Sequence, residues 1–265
     1  MQARGDDQQR IWLLSGTGEG PRLTRRLLEL GWRVQVSVVT PAAALAYAGI
    51  PVEQLCVGAL AGQQGMAAVL ERDGPFRWVV DATHPFATQV THDLSAVCGR
   101  LGQPLLRLER PSESGGDAQL LADADGLRDH PMRGRRLLLA LGARHLASAV
   151  AAGEAAGAKV FARVLPSADS LCRALAVGLP ADRLAVVKPL QGPCPGELEQ
   201  ALCRRWDITD VLCRQSGGDT ERLWRAIASD QGLRLWLLQR PKEPACVETV
   251  LGEQALLQRL NHAPD

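Results

Sequence analysis

The chain has 265 residues, 46% of them hydrophobic and 22% charged, a globular balance that excludes a disordered chain because there is enough apolar surface to offset the entropy of ordering. Thirty basic residues against 29 acidic leave a formal net charge of +1, so no overall positive field is available to hold a nucleic-acid backbone. No apolar run approaches the roughly 18 residues of a membrane span, and the polar stretch 1–10 with the short run after it lacks the apolar core of a signal peptide; a cytoplasmic protein with neither nucleic-acid nor membrane partners is expected.

In chain order, residues 11–14 predict a short apolar strand that runs into the turn Ser15-Gly16-Thr17-Gly18-Glu19-Gly20. A helix follows, with Leu23, Leu27, Leu28 and Leu30 spaced along one face and Gly31 placed as its stop. Residues 34–39 make a second strand closed by Thr40-Pro41, 67–70 fit a helix, and Trp78-Val79-Val80 is a buried strand leading into Asp81. Residues 88–101 predict a helix and 104–108 a strand, after which 112–129 turn to Ser, Gly and Asp. The alternation then resumes, with strands at 136–140, 160–165, 184–187, 211–213 and 235–238 and helices at 145–152, 167–176, 198–206 and 221–228. Such alternation implies parallel sheet, since each crossover needs a helix to carry the chain back. The expected fold is α/β: two Rossmann-like, doubly wound parallel-sheet domains, 10–112 and 135–250, joined by a linker at 113–134 and separated by an interdomain cleft.

Four sets of residues can carry chemistry. Glycines at 16, 18 and 20 let a strand–helix turn bring backbone N–H groups and a helix N-terminus close to a pyrophosphate. The spacing is G-x-G-x-G, looser than the dinucleotide fingerprint, so an S-adenosylmethionine methyltransferase and a non-catalytic nucleotide-binding module stay open beside a nicotinamide enzyme. The second strand ends Ser37-Val38-Val39-Thr40 without the carboxylate that usually binds ribose hydroxyls, which favours NADPH over NADH and puts Ser37 and Thr40 near the adenosine. Next, Asp81, Thr83 and His84 fall at the carboxyl edge of the sheet, where open α/β folds bind ligands, although Thr83 also suits a helix cap and Pro85 a first helical turn. Third, Arg107, Arg110, Arg163 and Arg214 stand at strand ends, where each can make a bidentate pair with a carboxylate of a polyanionic ligand or with a local acid such as Glu109. Finally, Gln191-Gly192-Pro193 and Ser216-Gly217-Gly218 can offer backbone N–H groups to an anion or serve as plain turns. The arginine bias of the basic set, with lysine only at 159, 188 and 242, follows equally from a GC-rich coding sequence. Seven scattered cysteines with no C-x-x-C pair make neither a disulfide framework nor a zinc site.

Taken together, the motifs resemble those of the precorrin-6A reductase family, including its cobalt-precorrin-6A branch, from cobalamin biosynthesis. The string Val79-Val80-Asp81-Ala82-Thr83-His84-Pro85-Phe86-Ala87 is the most specific element, followed by Pro104-Leu105-Leu106-Arg107-Leu108-Glu109-Arg110-Pro111. The opening Gly16-Thr17-Gly18-Glu19-Gly20, Arg163-Val164-Leu165-Pro166, Gln191-Gly192-Pro193 and Ser216-Gly217-Gly218 are similar to further family motifs, so the likeness runs from about 11 to 241. The chain departs from the pattern at Cys194, where the family carries Phe, and at Arg214-Gln215, where it carries Lys with an acidic residue. The resemblance implies hydride transfer from NADPH or NADH to a double bond of a tetrapyrrole bearing acetate and propionate arms. Gly16, Thr17, Gly18, Glu19, Ser37, Thr40 and Asp81 are expected to hold the cofactor. Thr83, His84, Pro85, Phe86, Arg107, Arg110, Arg163, Gln191, Gly192, Arg214, Ser216 and Gly217 are expected to meet the tetrapyrrole, with His84 the first candidate for a catalytic acid and no metal ligand set.

Overall fold

A computed structural model describes residues 9–16, 18–114, 117–188, 194–242 and 244–264. In the first part of the chain, strands β1 (Arg10–Ser15), β2 (Arg33–Val38), β3 (Gln54–Val57), β4 (Trp78–Ala82) and β5 (Leu105–Glu109) alternate with helices α1 (Gly20–Glu29), α2 (Pro41–Ala44), α3 (Gly62–Asp73) and α4 (Thr88–Leu101). Then come β6 (Ala118–Leu121), β7 (Arg136–Leu139), α5 (Leu146–Ala155), β8 (Lys159–Val164), α6 (Ala168–Ala176), β9 (Leu184–Val186), α7 (Glu197–Arg205), β10 (Asp210–Arg214), α8 (Asp219–Gln231) and β11 (Arg234–Leu238). β12 (Glu248–Leu251) and α9 (Gly252–Leu260) close the chain.

These elements form two units, one built from residues up to Pro111 together with those from Pro241 onward, the other from Ser112–Arg240. The first holds a six-stranded sheet in the order β12-β5-β4-β1-β2-β3, every pair parallel. Counted by place, this is the 3-2-1-4-5-6 order of dinucleotide-binding sheets, with β12 as sixth strand. The second unit holds β6-β11-β10-β7-β8-β9, again all parallel. Its order is the same, except that the sixth place goes to β6, which precedes the other five in the chain. Two doubly wound α/β units are thus present, as the alternation requires.

The domain boundaries need correction. Residues 113–134, expected as a linker, contain β6, which pairs with β11. The tail from 241, expected to finish the second domain, instead returns to the first, where β12 pairs with β5 and Leu256 and Leu260 are fully buried in its core. Edge strands pair on one side only and are short and half-exposed, so they lack the continuous apolar run of a central strand. Central strands show that run plainly: Ile11, Trp12, Leu13, Val79 and Val80 are completely buried, each large apolar side chain contributing about 1.5–3 kcal/mol.

None of the seven cysteines is bonded to another. Burial pushes the Cys98 and Cys203 thiols up to about 12, with Asp81 adding to the first and Glu199 to the second, so both are inert core groups.

Candidate active site

In the first sheet the chain leaves β1 toward β2 and β3, then crosses back to place β4 on the other side of β1. This topological switch point opens a crevice at the carboxyl ends of β1 and β4, the place where such sheets bind ligands. Ser15 pairs in register with Ala82, so the glycine turn after Ser15 and the Thr83-His84-Pro85 corner after Ala82 leave from adjacent strands on one edge.

The turn is shaped by packing from below and is open above. A side chain on Gly20 would overlap Ser15 and Tyr47, whereas one on Gly16 or Gly18 would meet nothing within 4 Å among the described residues. Tyr47 donates its hydroxyl to the Gly16 carbonyl at 3.0 Å; burial pushes its phenol up, with the Ser15 hydrogen bond opposing, so it stays a donor. Glu19 is tied to Arg110 at 2.8 Å, which anchors the end of β5 to the turn. Helix α1 carries no acidic residue in its first turn, and the acid at its N-cap, Glu19, is neutralised by Arg110, which leaves the N-terminal dipole for an anion. Bare backbone above and a helix N-terminus behind fit the phosphates of a dinucleotide. Thr17 lies outside the described residues.

Several expected contacts face inward instead. Asp81 and Arg107 pair at 2.9 Å, both side chains 1% exposed. Asp81 also accepts from the Thr83 hydroxyl at 2.7 Å, the Thr83 amide at 3.0 Å and the Thr91 hydroxyl at 2.6 Å, while Arg107 also donates to the Thr83 carbonyl at 3.0 Å. Asp81 as a cofactor ligand and Arg107 as a substrate ligand are therefore corrected: a buried charge must be neutralised locally, and these two neutralise each other. Together they brace Thr83. Ser37 is corrected as well, because its hydroxyl is buried and accepts from the Trp12 indole at 2.9 Å. Thr40 stays exposed and caps α2, accepting from the Ala43 amide at 3.1 Å.

At the corner, Thr83, His84 and Phe86 are half-exposed and Pro85 is buried. His84 Nδ1 accepts from the Phe86 amide at 3.2 Å, so the neutral ring carries its proton on Nε2. The two rings stand 5.7 Å apart, each limiting the other's rotation.

At the carboxyl edge of the second sheet, Arg214 ends β10 and is half-exposed. Arg163, near the end of β8, is 5% exposed, and its Nε and Nη2 find no hydrogen-bond partner among the described residues; burial lowers its pKa while Glu199 and Cys213 oppose the shift. Ser216 is buried. Gly217 as an anion ligand is corrected, since its amide donates to the buried Glu221 carboxylate at 2.7 Å. Gln191 and Gly192 lie outside the described residues.

Sequence reasoning missed Tyr47, which sits 31 positions from Gly16 with no motif to link them. It also missed the turn after β7, where Gly142 has φ +87; a lone glycine between a strand and a helix was the available signal.

The strand order, switch point and open glycine cradle define a dinucleotide-binding α/β protein. The family model described as precorrin-6x reductase CbiJ/CobK matches residues 10–260. The chain is 32% identical to a cobalt-precorrin-6A reductase of Synechocystis sp., over 89% of this chain and 90% of that one. It is 31% identical to a precorrin-6A reductase of Mycobacterium tuberculosis, over 91% and 93% respectively. A solved structure, CobK precorrin-6A reductase, superposes with a TM-score of 0.74 at 25% identity, covering 97% of this chain and 98% of that one. The chain belongs to the precorrin-6x reductase CbiJ/CobK family and is a reductase of cobalamin biosynthesis, with a reduced nicotinamide as the hydride donor that the family implies. Among the described residues no helix is long and apolar enough to cross a membrane.

Proposed function

We propose that this chain reduces precorrin-6A or its cobalt form to the dihydro product in the cytoplasm, with NADPH held at the turn from Gly16 to Gly20. The observation that carries the reading is a family match over residues 10–260 whose first strand–turn–helix sits at a switch point with open space above Gly16 and Gly18. That match also displaces the methyltransferase and non-catalytic readings.

The nicotinamide supplies the hydride; the protein's part is binding and orientation, with the proton drawn from water. Gly16 and Gly18 give the phosphates close access to backbone, and the α1 N-terminus favours their charge. Tyr47 and the Glu19–Arg110 pair hold the turn in that shape. NADPH is preferred to NADH because residues 37–42 offer no carboxylate to repel a 2′-phosphate. Thr83 and His84 face the tetrapyrrole, the first braced by Asp81 and Arg107, the second donating a hydrogen bond from Nε2 to a ring nitrogen while the proton that completes the reduction comes from water.

Anaerobic incubation with each precursor form and each nicotinamide, followed at the cofactor absorbance band, tests this directly. NADPH is expected to exceed NADH in kcat/KM by about tenfold or more, and oxidation of neither nicotinamide with either form would overturn the reading. His84→Gln is expected to leave NADPH affinity unchanged and to lower kcat by about tenfold or less, because a hydrogen bond to the ring is altered while water still delivers the proton. An unchanged kcat removes His84 from the reaction.

A further inference from the structure

The sheet edges are not alike. β3, β6 and β12 each carry a polar or charged side chain, Gln54, Gln119 and Glu248 in turn, which discourages pairing with another chain. The remaining edge, β9, reads Leu184-Ala185-Val186 and is hydrogen-bonded on one side, to β8. Successive side chains of a strand face opposite ways. Ala185 packs into the cluster that buries α7 and α8, so Leu184 and Val186 point to the other face of the sheet, where Val186 is 40% exposed. That other face is the one covered by α5, whose Gly153 lies against Leu137 and Val160, and α6 packs beside α5. As the crossover between β8 and β9, α6 lies over the same rim. Its Ala168, Leu171, Cys172 and Leu175, spaced i, i+3, i+4 and i+7, are all exposed and make an apolar stripe; Leu175 is 63% exposed. The charges that flank β9 match their own inversion. Asp182, in the 3-10 turn Ala181–Arg183, and Lys188, just past the strand, are exposed and take part in no ion pair among the described residues. They stand three positions to either side of Ala185.

We propose that this rim is the interface of a two-fold dimer, its occupant a second copy of this chain: β9 pairs antiparallel with the partner's β9 about an axis at Ala185, and the two α6 stripes cover one another. The two six-stranded sheets then run on as one. Leu184 comes opposite the partner's Val186, and Asp182 comes beside the partner's Lys188, each contact occurring twice because a two-fold interface is self-complementary. Backbone pairing at the free edge supplies affinity, and the alternating side chains fix the register. A different protein offering an apolar strand would have no need of the Asp182 and Lys188 spacing, whereas an inverted copy of the same segment meets it with opposite charges. No residue assigned to cofactor or tetrapyrrole takes part, so the dimer stands or falls apart from the reductase reading.

The test is sedimentation equilibrium of the full chain at low salt over roughly 1 to 200 μM, a range that reaches the weak end of protein interfaces. The wild type is expected to be dimeric at the upper end. Val186→Lys and Leu175→Glu, both at exposed positions, are each expected to weaken association by about tenfold or more while leaving the urea midpoint unchanged. Asp182→Lys or Lys188→Asp alone sets like charges together twice and is expected to weaken association by about three- to tenfold. The double variant Asp182→Lys/Lys188→Asp is expected to regain wild-type affinity, because both pairs are opposite again. A wild type that stays monomeric to the top of the range overturns the proposal. So does a dimer that Val186→Lys leaves intact, which would put the contact on another face. A double variant that associates no more tightly than the single ones overturns it too, since the antiparallel register is then wrong.

Discussion

Arg107→Leu is expected to lower folding stability by about 3–5 kcal/mol, the usual result of leaving a buried carboxylate without its counter-charge. Asp81 is 0% exposed, and its remaining partners, the Thr83 and Thr91 hydroxyls and the Thr83 amide, are neutral dipoles that do not cancel a full charge. Urea denaturation of the wild type, Arg107→Leu and the double variant Asp81→Asn/Arg107→Leu separates pairing from packing. The double variant is expected to be more stable than Arg107→Leu alone, because a neutral Asn can keep the threonine contacts without stranding a charge. If the double variant is the less stable of the two, Arg107 acts through its buried stem and not through the pair. Activity is expected to fail in Arg107→Leu even where the protein is still folded, because Thr83 loses the brace that fixes the corner.

A second large effect is expected from two glycines that look alike in sequence. Gly18→Val is expected to leave the urea midpoint unchanged, because its side chain enters open space, while weakening NADPH binding about a hundredfold by displacing phosphate from the backbone donors. Gly20→Ala, two residues on, is expected to cost about 1–3 kcal/mol of stability, since its methyl overlaps Ser15 and Tyr47. Cofactor fluorescence titration beside denaturation checks both, and a Gly18→Val protein that binds NADPH normally would place the nucleotide elsewhere.

The central strands and the helices between them were legible because a strand buried on both faces must be apolar throughout, as in 11–14 and 78–80. The edge strands β3, β6 and β12 were not: Gln54-Leu55-Cys56-Val57 and Glu248-Thr249-Val250-Leu251 alternate or mix polar and apolar residues, as one-sided pairing permits. The strand-end position of Asp81 and Arg107 was also legible. Their direction was not, since residue type and spacing say where a charged group lies along a strand but not whether its partner is a ligand or a neighbouring strand. Arg107 meets Asp81 because β4 and β5 are adjacent, with those two residues opposite each other in register. Gly217 fails similarly: its N–H faces Glu221, four residues away, an acid that reads in sequence as an ordinary member of a helical first turn.

The return of the chain from the second unit to β12 has a consequence for biosynthesis. A nascent polypeptide leaving the ribosome presents all six strands of the later sheet before the earlier one receives its outermost member. Until residues 248–260 emerge, β5 is a bare rim and the pocket filled by Leu256 and Leu260 is uncovered, a template for pairing with other chains. A chain terminated before residue 248 would therefore have an intact second unit and a nucleotide-binding unit prone to aggregate.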